Sequence, residues 1–199
     1  MSAWQRRLEG LKIAVLMEAD YYEPEIWFYK QRFAEEGAEV HFMTRLWGQP
    51  RLTFTGHEHR VPFDVDESFE NMDDETLRSF AAVIVPSGIV ADRLRYTDDV
   101  GVLPPATAFL ARAMAEPSVV TGIICHGMWL VVPQPELIRG RKVVVHNNLH
   151  GDAINMGAEY TDEDVVIDGD LITARTGGHA AVFARTIIEE LAARHAVTA

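Results

Sequence analysis

Apolar positions along this chain follow two periods, and the two alternate. Lys12 to Met17 is a short apolar run that predicts a first strand. Pro24 to Glu36 follows with Ile26, Trp27, Tyr29 and Phe33 near helical spacing, and Gly37 stops it. Glu39 to Thr44 alternates around Val40 and Phe42, a second strand. From Gly48 to Ser68 the chain mixes Gly, Pro and Thr with two histidines, which predicts an irregular or hairpin excursion. Asp73 to Phe80 reads as a short helix, and Ala82 to Val85 as a buried strand ending in Pro86-Ser87-Gly88. Thr107 to Ala115 is an Ala-rich helix, and Val119 to Ile124 a strand that runs into Cys125. Lys142 to His146 and Val165 to Thr173 predict later strands, the second broken by an Asp168-Gly169 turn, and His179 to Arg194 a closing amphipathic helix. This order predicts an α/β fold with a doubly wound, mainly parallel sheet and helices on both faces. Active groups then sit at the carboxyl ends of the strands. No internal repeat or linker interrupts the pattern, so residues 1–199 read as a single domain.

Composition narrows the partners. The chain has 199 residues, enough for a full core, and a net charge of -12 that argues against a nucleic-acid partner. Hydrophobic content of 48% with 24% charged residues is that of a globular protein. The N-terminal stretch carries Arg6, Arg7 and Glu9 and no long apolar run, so neither a signal peptide nor a membrane partner is expected. A single cysteine excludes an internal disulfide and points to a reducing cytoplasm.

That cysteine, Cys125, stands where an α/β protein puts a nucleophile. A β-branched apolar run ends at it, Gly127 follows, and the next apolar stretch reads as a helix. A strand turning sharply into a helix leaves its turn residue strained and exposed at the sheet edge, the geometry of a nucleophile elbow. The helix N-terminus favours a thiolate and offers N–H groups to an oxyanion, so the expected thiol pKa lies below the free value of about 8.5. The competing reading is a buried cysteine packed as a small hydrophobe.

The motifs resemble those of the ThiJ/PfpI superfamily. Ile123-Ile124-Cys125-His126-Gly127 is similar to its A-x-C-H-G elbow, and Ala82 to Gly88 to its strand and P-G-G turn. Leu137 to Lys142 resembles L-x-G-R-K, and Val165 to Arg175 resembles V-V-x-D-G-x-x-x-T-S-R. The likeness runs from about Lys12 to Leu191. It implies a flavodoxin-like fold of the class I glutamine amidotransferase type. The family's activities span peptidase, deglycase or glyoxalase, hydratase and chaperone, so the resemblance does not fix one.

The resemblance also implies site residues. Members carry a glutamate after the first strand that hydrogen-bonds the cysteine sulfur. Ungapped alignment puts Tyr22 on it, with Glu23 adjacent, and both stay open as candidates. The amides of Gly88 and His126 fall where the family builds an oxyanion hole. Asp92 falls on the glutamate that completes the peptidase triad from a neighbouring subunit. His146 ends its strand where some members face a histidine to the cysteine; a capping or surface role is the alternative. His57-Glu58-His59 reads as solvent-facing. A glutamine amidotransferase would need a downstream His-x-Glu pair, which is lacking.

No cofactor is expected, since no G-x-G-x-x-G or P-loop is present, and the histidine spacings give no metal motif. The expected function is a cysteine-dependent hydrolase, hydratase or lyase acting on a small carbonyl, amide or nitrile-like substrate. The alternative is a redox or stress-response protein with an oxidisable Cys125. Trp27, Phe28 and Tyr29 cannot all face one core, so a homodimer or higher homo-oligomer is expected.

Overall fold

The first strand of the computed structural model, β1 (Lys12–Leu16), lies inside a seven-stranded sheet and is buried along nearly its whole length. The structure describes residues 6–198. A loop carries the chain from β1 into α1 (Glu23–Glu35), whose first turn holds Pro24 and two acids, Glu23 and Glu25. Pro costs nothing there, because the first helical N–H groups lack intrahelical partners in any case. Gly37, at φ +90, ends the helix, with its N–H on Ala34 O (3.0 Å) and the Ala38 N–H on Phe33 O (3.1 Å).

The chain then returns as β2 (Glu39–Thr44), parallel to β1. The excursion predicted over 48–68 is a hairpin, β3 (Leu52–Thr55) and β4 (Pro62–Val65), lying off the main sheet. The two-residue β5 (Glu67–Ser68) rejoins the sheet as its edge. Next come α2 (Asp74–Arg78), capped by the Asp73 carboxylate on Thr76 N–H (2.7 Å), and the buried β6 (Phe80–Val85). α3 (Val90–Leu94) and α4 (Pro105–Met114) lead to β7 (Val120–Ile124), buried at every position. After β7 stand β8 (Lys142–Val143), α5 (His150–Asn155), β9 (Glu159–Tyr160), β10 (Val165–Asp168), β11 (Leu171–Ala174) and α6 (Ala180–Thr198).

The sheet order is β10-β11-β7-β6-β1-β2-β5, and all its pairings are parallel except that of β10 with β11. This is the expected doubly wound, mainly parallel architecture. α6 packs on α1 and on β7, where Gly122 leaves room: a Cβ there would lie 2.8 Å from the Phe183 ring. α4 packs against β7 and the segment after it, tied by the Thr107 hydroxyl to Leu130 O (2.8 Å). No helix among the described residues is long and apolar enough to cross a membrane.

Three local readings change. The stretch after Cys125 is helical but wound as a 3-10 helix, Cys125–Val131. The strand expected over 142–146 pairs only at Lys142 and Val143, and continues unpaired to His146. Residues 90–94, for which the sequence pattern predicts no element, form α3, whose Val90, Ala91 and Leu94 are buried. Five residues give too short an apolar stripe to stand out in the pattern.

Candidate active site

β6, β7 and β11 lie side by side, and their carboxyl ends deliver Ser87-Gly88, Cys125-His126 and Thr176-Gly177 to one pocket of about 470 Å³. Asp20, Tyr22, His57 and His146 complete its wall. A larger cavity, about 780 Å³, lies at the opposite end of the sheet beside Leu11, Phe80 and Leu191 and contains no cysteine.

Cys125 has φ +59, a left-handed backbone that a non-glycine residue adopts only when its surroundings force it. Gly127 supplies part of that force. A Cβ there would lie 2.7 Å from Val85 O and 3.0 Å from Pro86 O, so the chain after the cysteine presses directly on β6. The thiol is 8% exposed, and its Sγ sits 3.2 Å from His126 Nδ1. Two backbone N–H groups, of His126 and Gly177, also point at the sulfur and favour its anion.

These amides do not prevail. Burial, with the negative charge of Glu25 added, pushes the Cys125 thiol up to about 11. The expectation of a lowered thiol pKa is therefore corrected. The helix after Cys125 is one short 3-10 segment, and the sulfur is more desolvated than the elbow sequence suggests. Burial and the neighbouring His146 hold His126 below its ordinary 6.5. The resting pair is accordingly a neutral thiol beside a neutral imidazole. In the tautomer that carries its proton on Nε2, the His126 Nδ1 accepts the S–H and takes the proton when sulfur attacks.

Beneath the pocket lies an acid that sequence reasoning missed. Glu25 is 1% exposed, and its carboxylate accepts from the Ser87 N–H (3.1 Å) and the Ser87 hydroxyl. Burial raises its pKa to about 7 despite these bonds, and the buried Tyr29 hydroxyl lies close by. Glu25, Tyr29 and Phe33 stand four residues apart and are all buried, so the acid shares the core-facing stripe of α1. That spacing was the signal available in the sequence.

Tyr22 and Glu23, the candidates for the family glutamate, are placed differently. Glu23 turns to the 57–60 loop, where its two oxygens accept from the amides of Glu58 (3.0 Å) and His59 (2.9 Å), and it is absent from the pocket wall. Four amides, including its own and that of Val61, hold its carboxyl below the usual range despite burial. Tyr22 does line the pocket, but as an aromatic wall stacked on His57 at 5.6 Å, and it makes no hydrogen bond to the sulfur. Counting forward from β1 stops short because the loop between β1 and α1 delays the first inward-facing acid until Glu25.

His57 also corrects its reading. It lines the pocket, with Nδ1 on Asp20 O (3.2 Å) and Nε2 near Glu58 (3.2 Å). Asp20 pairs with Arg60 (3.4 Å) and Arg93, and its carbonyl also accepts the Ile89 N–H (3.1 Å). One residue thus ties the loops after β1, β3 and β6 together around the pocket mouth.

The remaining candidates divide. The isolated bridge between Tyr21 and Gly88 is closed by the Ile89 amide, which leaves the Gly88 N–H out of that pairing, at the pocket wall. His146 both caps and lines: its Nδ1 accepts the Asn148 N–H (3.2 Å), and its ring lies 4.5 Å from that of His126. Asp92 lies elsewhere. It sits on α3 beside a separate cavity with Glu18, Arg45 and Trp47, outside the pocket of its own Cys125, and its expected role is toward a neighbouring subunit's site.

Comparison with known proteins agrees with the fold and the elbow. The DJ-1/PfpI family model matches residues 11–190. The chain belongs to the DJ-1/PfpI family. Within it, a protein named as a deglycase in Pyrococcus horikoshii is 28% identical over 165 residues, covering 83% of this chain and 90% of its own. Protein/nucleic acid deglycase 2 of Escherichia coli is 29% identical over 183 residues, 92% of this chain and 98% of its own. Among solved structures, a two-domain protein of Anabaena variabilis with DJ-1/ThiJ/PfpI-like and ferritin-like domains superposes with a TM-score of 0.79 at 26% identity. That match covers 91% of this chain and 48% of the larger protein. Schizosaccharomyces pombe DJ-1, at 18% identity and a TM-score of 0.71 over 90% of this chain and 91% of its own, shares the fold.

Proposed function

We propose that this DJ-1/PfpI protein is a cysteine-dependent enzyme acting on a small carbonyl-type substrate, with Cys125 as nucleophile and His126 as its base. The observation that carries the reading is the Sγ to Nδ1 distance of 3.2 Å at a strained elbow, inside a pocket with room for a small molecule. Sulfur attacks the carbonyl carbon, the C=O electron pair moves to oxygen, and the thiol proton passes to His126 Nδ1. Gly88 lines this corner of the pocket and the N–H groups of His126 and Gly177 lie at the sulfur, and these three amides are our candidates for oxyanion donors. The resulting imidazolium returns the proton to the oxyanion or to a leaving amine. With an acyl substrate, water then cleaves the thioester.

Glu25, and neither Tyr22 nor Glu23, is the acid that acts on the thiol, through its charge and not through a hydrogen bond to the sulfur, since its carboxylate is held by Ser87. With a pKa near 7 it exchanges a proton in the physiological range, and its charge state biases the thiol. Relatives named as deglycases favour a carbonyl adduct of an amine over a nitrile. The redox alternative has less support, because the thiolate is the form that oxidises and burial holds this thiol protonated. The test is turnover of a panel of α-oxoaldehyde–amine adducts, amides and nitriles by the wild type and by Cys125→Ser. Turnover of the adducts that Cys125→Ser abolishes supports the reading. A thiol that oxidises readily while no member of the panel is turned over supports the alternative.

A further inference from the structure

Cys125, His126 and His146 come from two segments whose spacing matches no metal motif, yet the fold brings one donor atom of each within 4.8 Å of the other two. Sγ and His126 Nδ1 are 3.2 Å apart, and the two imidazole centroids 4.5 Å. In a tetrahedral zinc site, with Zn–S about 2.3 Å and Zn–N about 2.0–2.1 Å, neighbouring donors lie roughly 3.3–3.6 Å apart. The longest edge of this triangle therefore needs to contract by at most about 1.2–1.5 Å to reach that geometry. One sulfur with two imidazole nitrogens suits zinc and not the hard cations magnesium and calcium, which take oxygen. The pocket leaves the fourth position open.

His146 makes the binding of a cation visible at a distance from the sulfur. Its Nδ1 accepts the Asn148 N–H at 3.2 Å and begins the 147–149 turn. If a cation takes Nδ1, the lone pair is spent. If it takes Nε2, the neutral ring must carry its proton on Nδ1, facing another N–H. Either way the cap is lost.

We propose that Cys125, His126 and His146 bind one zinc ion, and that zinc occupancy masks the nucleophile and releases the Asn148 cap. Binding forms one Zn–S and two Zn–N bonds, and the thiol proton leaves to the buffer, with no change of oxidation state. The proposal does not depend on the carbonyl chemistry above, and its test reads no turnover.

The full-length reduced protein is titrated with zinc chloride against a chromophoric chelator, with alkylation of Cys125 and hydrogen exchange at the Asn148 amide followed in parallel. The expected result is one zinc per chain, alkylation slowed about tenfold or more at saturation and restored by a chelating agent, and faster exchange at Asn148. Cys125→Ser, and separately His146→Phe and His146→Gln, are each expected to weaken zinc by about tenfold or more, the scale for losing even an outer partner of a metal site. Zinc that binds Cys125→Ser as tightly as the wild type, leaves alkylation unchanged, or ignores both His146 substitutions would overturn the proposal. Because the alkylation and exchange readings use the wild type, a misfolded variant does not rescue it.

Discussion

Replacing Glu25 with Gln changes how stability depends on pH, and the size of the change follows from the buried carboxyl. Its folded-state pKa of about 7 stands against an ordinary 4.5. A raised value means that the folded protein holds the proton more tightly than the unfolded chain. The stabilisation is complete below pH 4.5 and is lost as pH rises through 7. At about 1.36 kcal/mol per pKa unit, the full difference is about 3 kcal/mol, of which about 2.5 kcal/mol is lost between about pH 5 and about pH 8. Gln has the same shape and no titration. Glu25→Gln therefore gains on the wild type by that amount across the interval, whatever constant offset comes from its altered bonds to Ser87. Urea denaturation of both proteins at half-unit pH steps measures the difference directly, and other titrating groups cancel. A stability difference that stays flat from about pH 5 to about pH 8 would refute the reasoning, because Glu25 would then be ionised at ordinary pH in both states.

Other outcomes follow from single contacts. Gly127→Ala places a Cβ 2.7 Å from Val85 O, a backbone atom that cannot swing aside, and is expected to cost about 1–3 kcal/mol in thermal or urea melts. Gly151→Ala, in α5 with nothing within 4 Å and no positive φ, is expected to stabilise by about 0.5–1 kcal/mol in the same assay. His126→Phe keeps an aromatic body against Trp129 and removes the proton acceptor; turnover should fall about a hundredfold while the melting temperature changes little. Trp27 is 41% exposed and stacks on His59 at 5.4 Å, while Tyr29 is buried, so the homodimer expected from this helix should appear in sedimentation at micromolar protein and weaken in Trp27→Ser. A monomer at that concentration would remove the expectation.

The elbow was legible because its chemistry is local. A β-branched run ending at Cys125-His126-Gly127 forces a strand to turn in a few residues, and the structure obeys with φ +59 at the cysteine. The parallel sheet was legible for a similar reason, since each strand is a short apolar run bounded by turn residues. The acid was not legible by counting forward from β1, although the predicted helix begins within one residue of α1, because the inward face of that helix and not the count decides which carboxyl is buried. The helical stripe of Glu25, Tyr29 and Phe33 carries that information once α1 is given its phase. Gly177 and His57 were missed because their roles depend on contacts across the sheet edge, between segments far apart in sequence. The same is true of the thiol pKa, which responds to burial, a property of the whole fold and not of the motif.

The central claim is that Cys125 attacks a carbonyl carbon and hands its proton to His126. Rapid mixing with an α-oxoaldehyde–amine adduct, acid quenching and intact-protein mass spectrometry with peptide mapping test it most directly. The account predicts a single adduct on Cys125 in the wild type, none in Cys125→Ser, and accumulation slowed about a hundredfold in His126→Phe. Turnover of the same substrate at the wild-type rate in Cys125→Ser, or an adduct that forms equally fast without His126, would contradict it.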